Sequence, residues 1–562
     1  MLEGCTFWPA DFAARYRAQG YWEGITLCQM LERSIAHAPD RVALVHRDER
    51  ITYRELGARI EALATRFVVL GLRPQDRVVL QLANGPDFLV VFFALIRAGI
   101  VPVLALPAHR QQEIGHFIAH CQAAAYIAPA QVRNFDYRPM AAEMAHAHAC
   151  LRHVVIAGEA AEGQIALDAL KAMPVPESAA QALRSYSPPV DDVAFMLLSG
   201  GTTGLPKLIP RTHDDYVYNC RQSGAVSGFD ADTVFLAILP LAHNFTLGCP
   251  GALAALAAGG TVVIAPDITA ETIFPLIARE RVTVLAAAMP LAVAWLNTGE
   301  PEKHDLSSLK VFMSGGAKMV PELRRRVEER LRCTYQESFG TGEGLLNMTR
   351  LDDPAEIRMT SSGRPVSPAD EIKVVDEDGR EVADGVVGEL VCRGPYTIRG
   401  YYRAPEATRA AFTADGFYRM GDAVRKAGGH LYVEGRLKDL INRGGEKISS
   451  EEVENHLLAH PQIANACVVA MPDEAFGEKA CAFVIPRGDD ALALDGIKDF
   501  LIARQIAKFK LPERLEVVPS FPTSAAGKIL RRELRRIIAE KIEGELAQAT
   551  ARSLSAERTG AP

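Results

Sequence analysis

The sequence predicts an α/β protein: a large N-terminal domain of α/β subdomains plus a β region, then a small α+β C-terminal domain. Three observations predict it. Strand and helix signals alternate through the first two thirds, and the texture changes near Asp370 and again after Gly435. The length, 562 residues, allows several folding units at roughly 100–200 residues each.

Thr52 with Glu55 three residues on forms a capping box, and Leu56, Ile60, Leu63 and Phe67 follow at helical spacing. Arg77–Leu82 reads as a buried strand, Asp87–Arg97 as an apolar helix and Val101–Leu106 as the next strand. The rhythm recurs around Val193–Leu198, Val262–Ala265, Val282–Ala286 and Val311–Met313, which argues for buried, largely parallel sheets. From Thr233 to Pro266 no side chain is charged except His243 when protonated, a length that suggests a membrane span. Pro240, Asn244, Pro250 and Gly259-Gly260 instead divide it into strand, loop, small-residue helix and strand. From Asp370 onward, Asp378-Gly379, Asp384-Gly385 and Asp415-Gly416 predict turns in an antiparallel β region. Ser449 with Glu452 opens a helix, Cys467–Ala470 and Ala482–Ile485 read as strands, and Ile497–Arg504 as a helix. A basic helix from Lys528 follows. The domain boundary is expected at Leu437, giving domains 1–437 and 438–562.

Composition narrows the function classes. Lys and Arg number 62 against 69 Asp and Glu, a net charge of −7 without the basic footprint of a nucleic-acid or anionic-membrane binder. An apolar fraction of 48% belongs to a well-cored chain, not a disordered one. The ten cysteines include no C-x-x-C pair, which fits reduced thiols. The N-terminus has no basic start followed by an apolar run, so a soluble, cytoplasmic protein is expected.

The strongest chemical signal runs from an apolar strand through Ser199, Gly200, Gly201, Thr202, Thr203 and Gly204 to Lys207. Glycines let backbone N–H groups approach phosphate oxygens, hydroxyls donate further bonds and lysine adds charge. It is not a Walker loop, because Leu208 follows the lysine. Even alone it reads as a phosphate site ahead of a surface turn. Further segments accompany it: Gly315-Gly316-Ala317 after a strand, Phe339-Gly340-Thr341-Gly342-Glu343, Tyr418-Arg419-Met420-Gly421-Asp422, Gly435-Arg436-Leu437-Lys438-Asp439, and Ser524-Ala525-Ala526-Gly527-Lys528. Singly each is a turn with a solvated charge; their order across more than 300 residues is not accidental.

Together these segments resemble the acyl-adenylate-forming superfamily of acyl-CoA synthetases, luciferases and nonribosomal adenylation domains. The resemblance implies the adenylate-forming enzyme fold with a mobile C-terminal domain hinged at Lys438. It implies Mg²⁺ and ATP as cofactors, acyl-AMP formation with release of pyrophosphate, then transfer to a thiol. By position, Ser199 to Gly204 and Lys207 would hold phosphates, with Gly315, Gly340 and Thr341 also on the nucleotide side. Glu343 would ligate Mg²⁺, Asp422 bind the ribose hydroxyls, Arg436 lie near ribose or phosphate, and Lys528 bridge the substrate carboxylate and α-phosphate. One departure stands out: Gly342 occupies the place where the superfamily usually has Thr, with Thr341 one position earlier.

Within the superfamily the chain is similar to stand-alone aryl-acid ligases of siderophore pathways. The residues are Trp8-Pro9, Gly20-Tyr21-Trp22, Leu106 to Arg110, Leu208 to His213 and Ala242-His243-Asn244-Phe245. That likeness puts His243, Asn244, Phe245, Cys249, Gly316, Ala317, Ser338 and Leu346 around the acid, with Asn244 on the ring's ortho hydroxyl. An Asn in an apolar stretch needs a hydrogen-bond partner when buried; backbone or a substrate phenol both qualify. Ligases for 2,3-dihydroxybenzoate typically have Ser and Val where Cys249 and Leu346 stand. The weaker thiol and the longer Leu disfavour a second ring hydroxyl and favour salicylate, whereas polar Ser338 favours the second hydroxyl.

Only 34 residues follow Lys528, and Gly428-Gly429-His430-Leu431 lacks a carrier-site serine, so the expected acceptor is an aryl carrier protein acting in trans. The readings left open are a 2,3-dihydroxybenzoate-AMP ligase, a small-acid CoA ligase and a catalytically silent nucleotide-binding protein. The joint presence of Lys207, Glu343, Asp422 and Lys528 argues against the last. His146, His148 and Cys150 make a weak metal site, and His213-Asp214-Asp215 reads as a solvated helix start.

Overall fold

The computed structural model describes residues 2–199, 206–316, 318–443, 446–488, 492–504, 506–523 and 529–559, with side chains except at 438, 447 and 546–559. The chain forms two compact units. One comprises Met1–Lys373, Val391–Met420 and Ala427–Tyr432; the other comprises Val374–Leu390, Gly421–Lys426 and Val433–Pro562.

The first unit holds two large sheets. A nine-stranded sheet runs in the order Arg364–Pro365, Gly344–Met348, Thr334–Thr341, Val311–Gly315, Val284–Ala286, Val234–Ala237, Thr261–Ile264, Val42–His46, Glu49–Thr52. Its interior pairs are parallel and its edges antiparallel. A seven-stranded sheet orders Leu208–Thr212, Val193–Leu198, Val101–Leu104, Arg77–Leu80, Ala125–Pro129, His153–Ala157 and Ile165–Ala166. It is parallel except for its first pair. The helix Pro86–Arg97 buries every residue from Phe88 to Ile96, as an all-apolar helix must. Proline at its first turn loses no intrahelical bond. Thr52 and Glu55 form the reciprocal capping box that their spacing predicts.

The uncharged Thr233–Pro266 stretch folds as strand Val234–Ala237, helices Asn244–Gly248 and Ala252–Ala257, and strand Thr261–Ile264. Among the described residues no helix is long and apolar enough to cross a membrane. The Asp–Gly pairs lie at turns, with Gly379, Gly385 and Gly416 at φ of +79°, +90° and +79°, where a side chain would be strained. Around them Glu371–Val375, Val387–Arg393, Tyr418–Ala427 and His430–Arg436 follow one another in a four-stranded sheet.

The second unit is α+β. Ile463–Asp473 and Gly477–Pro486 pair antiparallel, well beyond the expected 467–470 and 482–485, because backbone pairing continues past Pro472 and Lys479. Ile441–Arg443 and Arg514–Val517 also pair with Gly477–Pro486. Ser449 caps Ser450–Leu458 by accepting the Glu452 N–H at 3.1 Å. The expected helix at 497–504 spans Leu494–Ala503, and the basic helix starts at Arg531.

Candidate active site

Strands Val193–Leu198 and Leu208–Thr212 are antiparallel neighbours, and the glycine-rich loop joins them. Two hydrogen bonds close its neck. The Ser199 N–H donates to the Lys207 carbonyl at 2.9 Å, and the Lys207 N–H donates to Ser199 Oγ at 2.9 Å. Gly200, Gly201, Thr202, Thr203 and Gly204 lie outside the described residues. Lys207 holds its ammonium 4.7 Å from the centre of the Tyr401 ring, a cation–π contact.

Tyr401 connects this lysine to Glu343. Its hydroxyl donates to Glu343 Oε1 at 2.8 Å, and both side chains are buried. Burial pushes the Tyr401 phenol far above its ordinary range, so the hydroxyl remains a donor. Glu343 sits in the turn between Thr334–Thr341 and Gly344–Met348. Its carbonyl accepts the Ile398 N–H at 2.7 Å. Gly344, at φ +133°, carries its backbone so close to Thr397 that a Cβ would stand 2.3 Å from Thr397 Cα. Glycine is required there.

The same turn carries Gly342. The Thr341 hydroxyl donates to the Gly344 carbonyl at 2.9 Å, so it holds the turn itself. A Cβ on residue 342 would stand 3.1 Å from Ile209 Cδ1, so Gly342 and Ile209 fit each other as a pair. Among the described residues no group of three or more His, Cys, Asp or Glu could hold a metal ion, and His146, His148 and Cys150 form no such group. A single carboxylate suits Mg²⁺ that arrives with nucleotide phosphates and keeps its waters.

The segment His213-Asp214-Asp215 is buried, not solvated. Arg211, only 1% exposed, donates from Nε to Asp215 at 2.9 Å, and Asp215 in turn caps the helix His213–Val226 through the Thr212 N–H at 2.8 Å. Asp214 pairs with Arg17 at 2.6 Å. His213 Nδ1 accepts the Leu27 N–H at 3.2 Å, and burial lowers its pKa to about 4, so it is neutral. The remaining Arg211 donors reach the Gly342 carbonyl at 2.9 Å and the Tyr396 carbonyl at 3.1 Å. One guanidinium therefore holds the residue preceding Glu343.

Of the pocket candidates, His243, Asn244, Phe245 and Cys249 lie on or beside the short helix Asn244–Gly248. His243 caps it, Nδ1 accepting the Phe245 N–H at 3.2 Å. The Phe245 ring lies against Gly315, where a Cβ would be 3.2 Å from it and 2.8 Å from the Ser338 carbonyl. Ser338 is buried opposite Gly315 in the parallel register, and Gly316 follows at φ +85°. Leu346 pairs with Gly340, where a Cβ would approach Leu346 Cδ1 to 3.1 Å. Asn244 donates from Nδ2 to Cys249 Sγ at 3.2 Å and accepts the Tyr216 hydroxyl at 2.7 Å. Asn219 also contacts Cys249, with Nδ2 3.5 Å from Sγ. Burial raises the Cys249 pKa, which keeps the thiol protonated. Ala317 lies outside the described residues.

In the second unit Arg436 Nε meets Asp422 Oδ1 at 2.9 Å, with Asp422 buried. Lys438 lies in the turn Leu437–Asp439, its side chain outside the described set, as is Lys528. Tyr216, Asn219 and Tyr401, and the support that Arg211 and Asp215 give, are the additions that local reading misses. The Thr212-x-x-Asp215 spacing is itself a capping-box signature and is the one signal that marks any of them.

A glycine-rich loop closed by Ser199 and Lys207, linked through Tyr401 to a buried carboxylate on an α/β core, fits an enzyme of the adenylate-forming class. The model of the AMP-binding enzyme family matches residues 31–402, and that of the AMP-binding enzyme C-terminal domain matches 452–528. The chain belongs to the AMP-binding enzyme family. It is 48% identical to a 2,3-dihydroxybenzoate-AMP ligase of Bacillus subtilis, over 96% of this chain and 99% of the relative. It is 43% identical to a salicyl-AMP ligase / salicyl-S-ArCP synthetase of Mycobacterium tuberculosis, over 95% of this chain and 94% of the relative. The apo structure of MbtA from Mycobacterium smegmatis superposes with a TM-score of 0.73 at 41% identity, covering 95% of this chain and 98% of that one.

Proposed function

We propose that this chain activates salicylate with ATP and passes the aroyl group to the phosphopantetheine thiol of an aryl carrier protein in siderophore biosynthesis. A carboxylate oxygen of the acid attacks the α-phosphorus, the bond to pyrophosphate breaks, and aroyl-AMP forms. The thiol then attacks the aroyl carbonyl, losing its proton, and AMP departs. Mg²⁺, held by Glu343 and the phosphates, would offset phosphate charge. Ser199 to Gly204 and Lys207 would hold the β- and γ-phosphates, with Gly315, Gly340 and Thr341 shaping the nucleotide side. Asp422 and Arg436 would take the ribose, and Lys528 the two reacting anions. The catalytic bodies are taken as 1–437 and a mobile 438–562 hinged at Lys438. A cytoplasmic setting suits ten free cysteines, seven of them buried.

The observation that carries the choice of acid is the Asn244–Cys249 contact at 3.2 Å, together with buried Leu346 on the strand Gly344–Met348. Asn244 would supply a polar group for one ortho oxygen and Leu346 an apolar wall, which fits one ring hydroxyl better than two. The names of the relatives support aryl-acid adenylation. Pyrophosphate exchange into ATP is expected with salicylate as the best of a hydroxybenzoate series; no exchange with any of them overturns the reading. Phosphopantetheinylated aryl carrier protein is expected to outpace free CoA as acceptor; the reverse order makes this a CoA ligase.

Buried Ser338 favours the second reading, 2,3-dihydroxybenzoate as substrate. The two are separable. Combining Cys249→Ser with Leu346→Val is expected to move kcat/KM toward 2,3-dihydroxybenzoate by about tenfold relative to salicylate, since such pocket changes supply about 1–3 kcal/mol. A wild-type enzyme that already prefers the dihydroxy acid, and a double variant that does not shift, would identify the alternative.

A further inference from the structure

Tyr216 belongs to the helix His213–Val226 and is completely buried. Its ring is fixed on two sides, edge-on to Phe195 with centroids 4.6 Å apart and beneath the Arg211 guanidinium at 4.8 Å. Its hydroxyl lies over Gly248, where a Cβ would come within 2.5 Å of the oxygen. The phenol therefore has one place to go, and it donates to Asn244 Oδ1 at 2.7 Å. Burial holds the phenol far above its ordinary pKa, so it stays a donor.

That bond dictates which edge of the amide is used. Oδ1 accepts from Tyr216 and one Nδ2 hydrogen goes to Cys249 Sγ at 3.2 Å. What is left to a ligand at half-buried Asn244 is the second N–H, a donor, on the amine edge, and one Oδ1 lone pair on the edge that the phenol already occupies. An ortho hydroxyl on an aryl acid turns its own hydrogen toward the neighbouring carboxylate and presents an oxygen lone pair outward. An ortho amino group delocalises its lone pair into the ring and presents N–H. We propose that Tyr216 is a positioning residue that locks Asn244 with its N–H edge toward the substrate, so that the site accepts 2-hydroxybenzoates and rejects 2-aminobenzoate.

This rests on the aryl-acid reading, and the test separates the two. Salicylate and 2-aminobenzoate are compared by pyrophosphate exchange in wild type, Tyr216→Phe and Asn244→Asp. Wild type is expected to favour salicylate strongly. In Tyr216→Phe the amide is free to turn over, and the kcat/KM ratio is expected to fall by about tenfold or more with the KM for ATP unchanged. Asn244→Asp keeps the size and the Tyr216 bond but has no N–H, so its ratio is expected to fall as well. In an Asn244→Ala background, Tyr216→Phe should leave the ratio where it is. A loss of packing alone would lower both substrates together. Unchanged ratios in Tyr216→Phe and Asn244→Asp, with wild type active on salicylate, overturn the proposal; a wild type inactive on every hydroxybenzoate overturns the substrate reading instead.

Discussion

Replacing Lys528 by alanine is expected to lower salicylate-dependent pyrophosphate exchange by at least about 100-fold while ATP binding stays within about threefold of wild type. Two anions meet in the first step, the substrate carboxylate and the α-phosphate, and negative charge builds on the transferring group. A cation that acts mainly in that transition state contributes to rate and little to ground-state binding. Removal of one such charge-stabilising group typically costs about 10²–10³ in rate. Lysine is the suitable side chain for this, a compact charge on a flexible stem. The measurement pairs equilibrium binding of a non-hydrolysable ATP analogue with exchange kinetics on the same preparation. A variant that keeps more than a tenth of the exchange rate removes Lys528 from the chemistry. Equal losses in binding and exchange reassign it to holding nucleotide.

Local pattern carried much of the architecture and little of the site's support. Thr52 and Glu55 show their capping box because both partners lie within one turn. The Asp–Gly turns and the apolar helix Pro86–Arg97 are legible for the same reason. Thr212 and Asp215 carry an equally local signature, yet reading His213-Asp214-Asp215 as solvated fails because Arg17, partner of Asp214, lies 197 residues away. Polar residues are read as exposed unless a partner is in view, and register across the sheet supplies partners that spacing cannot show. Tyr401 reaches Glu343 across 58 residues, with no periodicity linking them. Tyr216 is similarly hidden: its helix is buried from His213 to Cys220, so no face marks it as facing a pocket. Asn244 is legible only in part. The need for a partner followed from burial, but that tyrosine and cysteine would take up part of the amide is a property of the fold.

Arg211→Met is expected to destabilise the first unit by about 3–5 kcal/mol, the usual cost of leaving one member of a buried ion pair behind. Arg211 and Asp215 are 1% and 0% exposed in their side chains and 2.8 Å apart, so neither is screened by water. The variant leaves Asp215 with only the Thr212 N–H and hydroxyl, at 2.8 and 3.1 Å, to offset its charge. It also strips the Gly342 and Tyr396 carbonyls of a donor, each worth about 1 kcal/mol. All three tryptophans, Trp8, Trp22 and Trp295, belong to this unit, so urea unfolding followed by their fluorescence reads the loss directly. Adding Asp215→Asn removes the orphaned charge while keeping an acceptor for the Thr212 N–H. The double variant should therefore recover at least about 1 kcal/mol, because the penalty lies mainly in the unpaired carboxylate. If Arg211→Met costs less than about 1 kcal/mol, Asp215 does not depend on this arginine for its charge. If the double variant is no more stable than the single, the loss lies in the two carbonyls, and Arg211 serves chiefly to hold the backbone that carries Glu343.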